Sequence, residues 1–248
     1  MKRNILLLLL LTLTTSGLMA QRKVSFAVDA GADYSTFLMT PRGGERLRTP
    51  FSLSPSLTGR IDLKLGNSDF YLSSGLSYYA PRSSQDLGVD KVADALRKAG
   101  LNIDWRRLGS FQERMTTHYL SLPLLLGSRT VVSADGKLSF AGELGFRFSI
   151  GLGGSLSYTL YDGSRNKLAE ASVPIFSSRT NGSARPGQDD GSSLFLPASI
   201  GFQAAIRAEY GRYYLRVGMD QGLTNINRFS EGSQVTIFSL STTLGVRF

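Results

Sequence analysis

The protein has 248 residues, no Cys, a single His and a formal net charge of +9. Without Cys it can form neither a disulfide nor a thiolate metal site, and one His excludes a metal centre built from several histidines. The mean hydropathy is close to zero and only one apolar run is long enough to be considered as a membrane-spanning helix, which argues against a helical membrane protein.

That apolar run lies at the N-terminus and is typical of an export signal. Lys2 and Arg3 precede an apolar core at residues 5–13, and small residues follow it. We therefore predict that residues 1–20 are a secretory signal peptide and that residues 21–248 form the exported domain.

From residue 23 onward, apolar and polar residues alternate strictly. Alternation is typical of β-strands, because successive side chains of a strand point to opposite faces. In residues 138–152, for example, Phe140 and Leu144 share an apolar face. Ser139 and Glu143 share the other face, which is small and polar. The same pattern predicts strands at residues 23–35, 51–65, 70–81, 117–132, 138–156, 194–210, 213–223 and 234–248.

The connections between these strands alternate in length. Short turns are predicted at residues 66–69, at Asp135-Gly136 and at Gly211-Arg212. Long connections fall at residues 36–50, 82–114, 157–193 and 224–233, and within the second of them residues 85–101 have the pattern of a short amphipathic helix. Short turns at one end and long loops at the other predict an all-β fold: an eight-stranded antiparallel up-and-down transmembrane β-barrel with long extracellular loops.

The distribution of charge indicates which face of the barrel meets lipid. No charged residue lies on the apolar face of the predicted strands, whereas Gly, Ser and charges of both signs share the opposite face. This partition favours a lipid-facing exterior and a packed polar lumen over a secreted soluble barrel, because buried charges in a narrow lumen must pair. The predicted lumen charges are Asp29, Asp33, Arg60, Asp62, Lys64, Arg129, Glu143, Arg147, Arg207, Glu209, Arg216, Asp220 and Arg247.

A Pro-x-x-x-Gly pattern recurs at Pro55, Pro123 and Pro197. Proline cannot donate a ladder hydrogen bond, so each position predicts a bulge or a gap in strand pairing near the barrel mouth. The alternation places Pro55 on the lipid face and the other two prolines on the lumen face.

Two other interpretations of the barrel remain open. It could be a narrow, porin-like channel for small solutes or ions, or an outer-membrane enzyme that uses His118 as a base. An eight-stranded barrel is only wide enough for its own side chains, which disfavours an open channel. No nucleophile and carboxylate can be paired with His118 in the sequence, so a His at the membrane interface is favoured over a catalytic one. No catalytic, cofactor-binding or metal-binding residue is predicted.

The C-terminal strand, with Phe238, Leu240, Leu244 and the final Phe248 on one face, resembles the assembly signal of Gram-negative outer-membrane barrels. Residues 119–126 and 222–226 resemble segments of the PorT-like outer-membrane β-barrel family of Bacteroidetes. The resemblance implies an outer-membrane location and a structural or interaction role at the cell envelope. It also implies contact with the barrel-assembly machinery during biogenesis and an association with secretion machinery.

The excess positive charge is spread over several parts of the predicted barrel. Part of it leaves with the signal peptide, part lies at the periplasmic ends, and the remainder forms a mildly basic outer rim that includes Arg46 and Arg48. No concentrated basic stripe is left, so a nucleic acid is not a predicted partner. The predicted partners are outer-membrane lipid and lipopolysaccharide, and charge reversal at Arg46 and Arg48 would test the second of these.

Overall fold

The computed structural model describes residues 24–40, 47–87, 108–176, 195–227 and 233–248. The predicted signal peptide and Arg46 lie outside these residues. No helix in the described part of the chain is long and apolar enough to cross a membrane. The strands are β1 (Val24–Thr40), β2 (Leu47–Arg48), β3 (Ser52–Lys64), β4 (Phe70–Tyr79), β5 (Arg82–Leu87), β6 (Leu108–Val131), β7 (Leu138–Asp162), β8 (Lys167–Pro174), β9 (Ala198–Tyr210), β10 (Tyr213–Gly222) and β11 (Gln234–Arg247).

Eight of these strands form a closed antiparallel ring. Its order is β6-β4-β3-β1-β11-β10-β9-β7, and pairing of β7 with β6 completes the circle. The first and last strands pair in continuous register from Ala27↔Arg247 to Thr40↔Gln234. The predicted eight-stranded up-and-down barrel is therefore confirmed.

The three predicted short turns lie at one end of the barrel. Each contains a glycine with positive φ, at Gly66 (60°), Gly136 (70°) and Gly211 (60°). A left-handed residue is what a tight hairpin between right-twisted strands requires, and glycine adopts it without a steric penalty. We call this the short-turn end and the opposite end the long-loop end.

The exterior of the ring is apolar, as the alternation predicts. Leu144, Ile206 and Leu244 are 58%, 68% and 69% exposed on this surface. Aromatic side chains border the apolar band at the short-turn end, among them Phe70, Phe140, Tyr210, Tyr213 and Phe248. Others border it at the long-loop end: Tyr34, Phe51, Tyr78 and Phe238. An apolar band between two aromatic girdles is the exterior of a membrane-spanning barrel.

At the long-loop end the wall extends beyond this band as a four-stranded sheet. β6 and β7 have 24 and 25 residues, and β5 and β8 pair with their far ends. We call the sheet of β5, the far half of β6, the far half of β7 and β8 the extension. Parts of the loops predicted at 82–114 and 157–193 are therefore strands.

The helix predicted over residues 85–101 is wrong where the structure can test it, because residues 85–87 belong to β5. Gln85 pairs with Glu113 of β6, and hydrogen bonding to this strand outweighs the local preference for a helix. Residues 88–101 lie outside the described part.

The three prolines do not share one structural role. Pro55 faces lipid and pairs in unbroken register with β1. Pro123 faces the lumen beside a gap in the β4–β6 pairing, as predicted. Pro197 is exposed in the bend just before β9, so it lies outside the strand ladders. The two register shifts in the β6–β7 ladder lie elsewhere, between Leu108 and Ser110 and between His118 and Tyr119.

Candidate functional site

The short-turn half of the barrel interior is organised around Glu143. This residue lies on β7, faces inward and is 1% exposed. Its Oε1 atom accepts a hydrogen bond of 2.6 Å from Arg60 Nη2 and one of 3.0 Å from the Tyr71 hydroxyl. Its Oε2 atom accepts a bond of 3.0 Å from Arg216 Nε. One carboxylate therefore accepts hydrogen bonds from three side chains on three different strands of the barrel.

Arg207 connects Glu143 to a second set of carboxylates. Its Nη2 atom lies 2.9 Å from Asp62 Oδ2 and its Nε atom 2.7 Å from Glu209 Oε1. Arg247 Nη1 approaches Glu209 Oε2 to 2.6 Å from the short-turn end. We call this continuous set of ion pairs, which also includes Arg129, the polar network. Most of its members are buried, and the partly exposed Arg129 and Arg247 lie at its edge.

Two tyrosines anchor the polar network through glycines on the neighbouring strands. Tyr71 lies directly opposite Gly127, and Tyr214 directly opposite Gly245. A Cβ added at either glycine would fall 2.3 Å or 2.1 Å from the facing ring, so each ring packs flat over its glycine. The Tyr214 hydroxyl thereby reaches Asp29 Oδ2 at 2.8 Å. The alternation of apolar and polar residues does not single out these tyrosines; aromatic residues on an otherwise small, polar face were the available signal.

A separate ion pair lies nearer the long-loop end. Arg147 Nη2 is 2.6 Å from Asp220 Oδ1, and the Arg147 guanidinium stacks 3.9 Å from the centre of the Tyr79 ring. Both charges are buried. This pair lies at the end of the polar lining, because Arg147 contacts the Asp220 carboxylate on one side and the Tyr79 ring on the other.

A small polar cavity of about 30 Å³ lies between this pair and the polar network. Buried atoms without a hydrogen-bond partner belong to residues that line it: Ser56 Oγ, Arg147 Nε, Asp220 Oδ2, Gln203 Oε1 and Thr243 Oγ1. They include both donors and acceptors. A polar cavity of this size accommodates about two water molecules, and water can satisfy both kinds of group.

The long-loop half of the interior is apolar, which corrects the prediction of a uniformly polar lumen. Phe37, Tyr119 and Ile175 are 0% exposed there. We call this cluster the apolar plug: Phe37, Tyr79, Met115, Tyr119, Ile175, Phe195, Ile226, Val235 and Ile237. Several members come from the connections after β8 and β10, which fold into the barrel mouth. The available signal was a run such as residues 235–238, in which apolar residues fall on both faces of one strand.

The interior is thus packed in two layers, an ion-paired one and an apolar one. The predicted lumen charges face inward and are buried or partly buried, except Lys64, which is exposed at the short-turn end. Lys64 is the last residue of β3, so its side chain is not enclosed by the ring. This arrangement holds charges in place and leaves no wide path along the axis.

His118 lies on the outer face of β6 near the long-loop end. Its Nδ1 atom is 2.7 Å from the Tyr78 hydroxyl, and the two rings stack with centres 6.1 Å apart. Tyr78 is itself one of the aromatic residues bordering the apolar band. Across the described ranges, no group of three His, Cys, Asp or Glu residues is placed to hold a metal ion.

No family model matches the chain, and no curated protein matches it by sequence. It is similar to the crystal structure of Ail, the attachment invasion locus protein of Yersinia pestis, in complex with the heparin analogue sucrose octasulfate. The TM-score is 0.40 at 11% identity, over 91% of this chain and 99% of that one. It is also similar to Neisserial surface protein A, with a TM-score of 0.37 at 11% identity over 90% and 97% of the two chains. It is similar as well to the outer membrane protein OprG from Pseudomonas aeruginosa, with a TM-score of 0.39 at 8% identity over 90% of this chain and 95% of that one.

Proposed function

We propose that the protein is an outer-membrane barrel that is closed to solutes and acts as a structural or interaction component of the cell envelope. The observation that carries this proposal is that the barrel has an apolar outer surface and an interior filled with packed side chains. The polar network and the apolar plug lie in series along the axis, so a solute entering from either end meets packed side chains.

The orientation follows from the barrel geometry. In outer-membrane barrels the short turns face the periplasm and the longer loops face outward. The extension would therefore stand on the cell surface as a continuation of the wall. β8 at its edge is exposed along its whole length, which suits contact with another envelope component.

The proposed partners are those that the sequence predicts. Phe238, Leu240 and Leu244 face outward on β11, where the barrel-assembly machinery would meet the last strand. A place in the PorT-like family of Bacteroidetes and an association with secretion machinery belong to the same proposal. We assign His118 an interfacial role rather than a catalytic one, because it lies on the outer face of the wall and stacks on Tyr78 at the aromatic boundary.

Planar-bilayer recording of the refolded full chain tests the closed barrel. We expect no reproducible conductance steps, with a general diffusion porin in the same bilayers as the positive control. Stable unitary steps from wild-type protein would overturn the proposal and favour the narrow channel. Membrane fractionation and gel mobility of unboiled against boiled samples test the barrel itself: soluble fractionation and equal mobility would contradict it.

Site-specific photo-crosslinking in the native outer membrane tests the interaction role. A photoreactive residue at Val173, on the exposed edge strand β8, is expected to capture a protein partner. The same residue at Leu144, on the lipid-facing wall, is the matched control and should capture none. Equal yields at the two sites would contradict the proposed role of the extension.

A further inference from the structure

The outer surface of β6 changes chemistry in a fixed order toward the long-loop end. Leu124 and Leu122 face outward within the apolar band and are about half exposed. His118 follows at the aromatic boundary. Thr116 and then Arg114 are the next two outward-facing residues of the strand. Hydrocarbon, interface and cation thus succeed one another along one strand, as the layers of a membrane leaflet do.

Arg82 on the neighbouring strand joins Arg114 in this outermost layer. The register pairs Arg82 with Thr116 and Ser84 with Arg114, so the two arginines are diagonal neighbours on one face. Diagonal positions place Cβ atoms roughly 7–8 Å apart, close enough for both guanidinium groups to reach one phosphate. Both side chains are exposed. Neither side chain has an ion-pair or hydrogen-bond partner within the described ranges of the chain.

Arg82, level with Thr116, lies within the headgroup layer, and Arg114 lies just above it. Arg114 lies four residues beyond His118, about 13 Å along a strand and about 10 Å above the boundary once a typical tilt is included. Headgroups occupy about 5–8 Å on each side of the hydrocarbon core. An arginine side chain that bends toward the membrane covers the remaining distance.

The neighbouring groups on this face are suited to an anion. Ser84, Thr116 and Ser157 surround the arginines with hydroxyls. The nearest carboxylate on the same face, Asp86, lies further from the membrane and accepts a hydrogen bond of 3.3 Å from Gln112 Nε2. Asp86 is the other diagonal neighbour of Arg114, but it forms no ion pair with either arginine in the described part of the chain, and two cations face this one carboxylate.

The same layering recurs on another part of the wall. Phe51 stacks on Tyr34 with ring centres 4.7 Å apart, at the aromatic boundary of β1 and β3. Arg48 lies above them with its guanidinium 5.6 Å from the centre of the Phe51 ring. A cation above the aromatic boundary is thus not confined to one strand pair.

We propose that Arg82 and Arg114 form a binding site for the phosphate of an anionic, phosphorylated glycolipid in the outer leaflet. The proposal rests on the outer-membrane location argued above and names the lipid chemistry that the surface recognises. The acyl chains would lie against the leucines of β6, and the phosphate would bridge the two guanidinium groups.

The test is a titration of full-length protein in detergent micelles with a diphosphorylated lipid A, followed by native mass spectrometry. Wild type should prefer this lipid to the same lipid without its phosphates. Each of Arg82→Gln and Arg114→Gln should lower the affinity about fivefold and the double variant about 25-fold, as expected for cations at a membrane surface. Arg165→Gln, in the turn between β7 and β8, is the matched control and should bind like wild type.

Three results would overturn the proposal: an unchanged affinity of the double variant, no preference for the phosphorylated lipid, or full competition by millimolar inorganic phosphate, which would point to a free anion. Each variant is first checked for the slower or faster migration of unboiled samples that marks a folded barrel. Loss of that migration in wild type would instead refute the outer-membrane barrel, so the two failures can be told apart.

Discussion

The two halves of the barrel interior solve the same packing problem with opposite chemistry. Near the short turns, Glu143 and Arg207 fill the space with ion pairs from strands that are distant in sequence. Near the long loops, Phe37 and Tyr119 fill it with apolar surface. The exterior is apolar beside the polar network and reaches its aromatic boundary beside the apolar plug, where Tyr78 and His118 face outward. The comparison teaches that the outer face of such a barrel is fixed by its solvent, whereas the inner face is fixed only by the need to leave no unpaired charge and no void.

Removing the central carboxylate should produce the largest loss of stability. Glu143→Ala leaves Arg60 and Arg216 buried without their counter-ion, which costs about 4 kcal/mol of unfolding free energy. Urea unfolding in micelles, followed by gel mobility, measures the loss. Glu170→Ala, in an exposed pair with Lys167, is the control and should change stability by less than about 0.5 kcal/mol. Equal losses would mean that the polar network is not a buried structure.

Truncation in the apolar plug should cost somewhat less. Phe37→Ala creates a cavity in a fully enclosed site and should lower the unfolding free energy by about 3 kcal/mol. The matched control is Phe146→Ala on the lipid face, where acyl chains can fill the space left by the ring. The same urea assay applies. A larger loss at Phe146 than at Phe37 would break the distinction between packed interior and lipid-facing wall.

Displacing the Tyr71 ring from Gly127 should cost less stability than the truncation in the apolar plug. Gly127→Ala places a Cβ 2.3 Å from the Tyr71 ring and must displace its hydroxyl from Glu143, for a loss of about 2 kcal/mol. Gly142→Ala is the control, because a Cβ there faces outward with no atom within 4 Å. If both variants unfold at the same urea concentration, the flat packing of Tyr71 does not support the polar network.

The smallest effect is a pH dependence confined to the extension. Burial raises the pKa of Glu113 above its usual value of 4.5, against the opposing hydrogen bond from Gln85. The folded extension therefore holds this proton more tightly than the unfolded one, so its stability is greatest in acid and declines as the pH rises through the raised pKa. Hydrogen exchange of β5 and β6 should slow slightly in acid, after correction for the intrinsic rate. Glu113→Gln should abolish the difference.

Much of the fold could be predicted from the sequence because alternate residues face two different surroundings, the lipid outside and the packed interior of the barrel. Leu144 and Glu143 are neighbours in the chain, yet one faces lipid and the other is 1% exposed inside the barrel. The eight wall strands and the three glycine turns follow from this contrast. Burial of most predicted lumen charges follows from it as well.

What the sequence could not provide was pairing across the ring. Arg60 and Glu143 meet only because the ring closes, and no local pattern records that contact. β8 was missed for a similar reason, since it is a strand only because the far end of β7 offers it a partner. The apolar plug was hidden because inward-facing Ile237 and outward-facing Phe238 together give no alternation.

The seam between β1 and β11 has a consequence for how the molecule is made. These strands pair along residues 27–40 and 234–247, which are about 200 residues apart in the sequence. Contacts of such high sequence separation form slowly, because the entropy of closing the loop must be overcome before they stabilise anything. The wall therefore has two unpaired edges until β11 meets β1, and Glu143 has no enclosed site before then. Time spent in that open state, rather than the stability of the finished barrel, should set its need for chaperones and its exposure to envelope proteases.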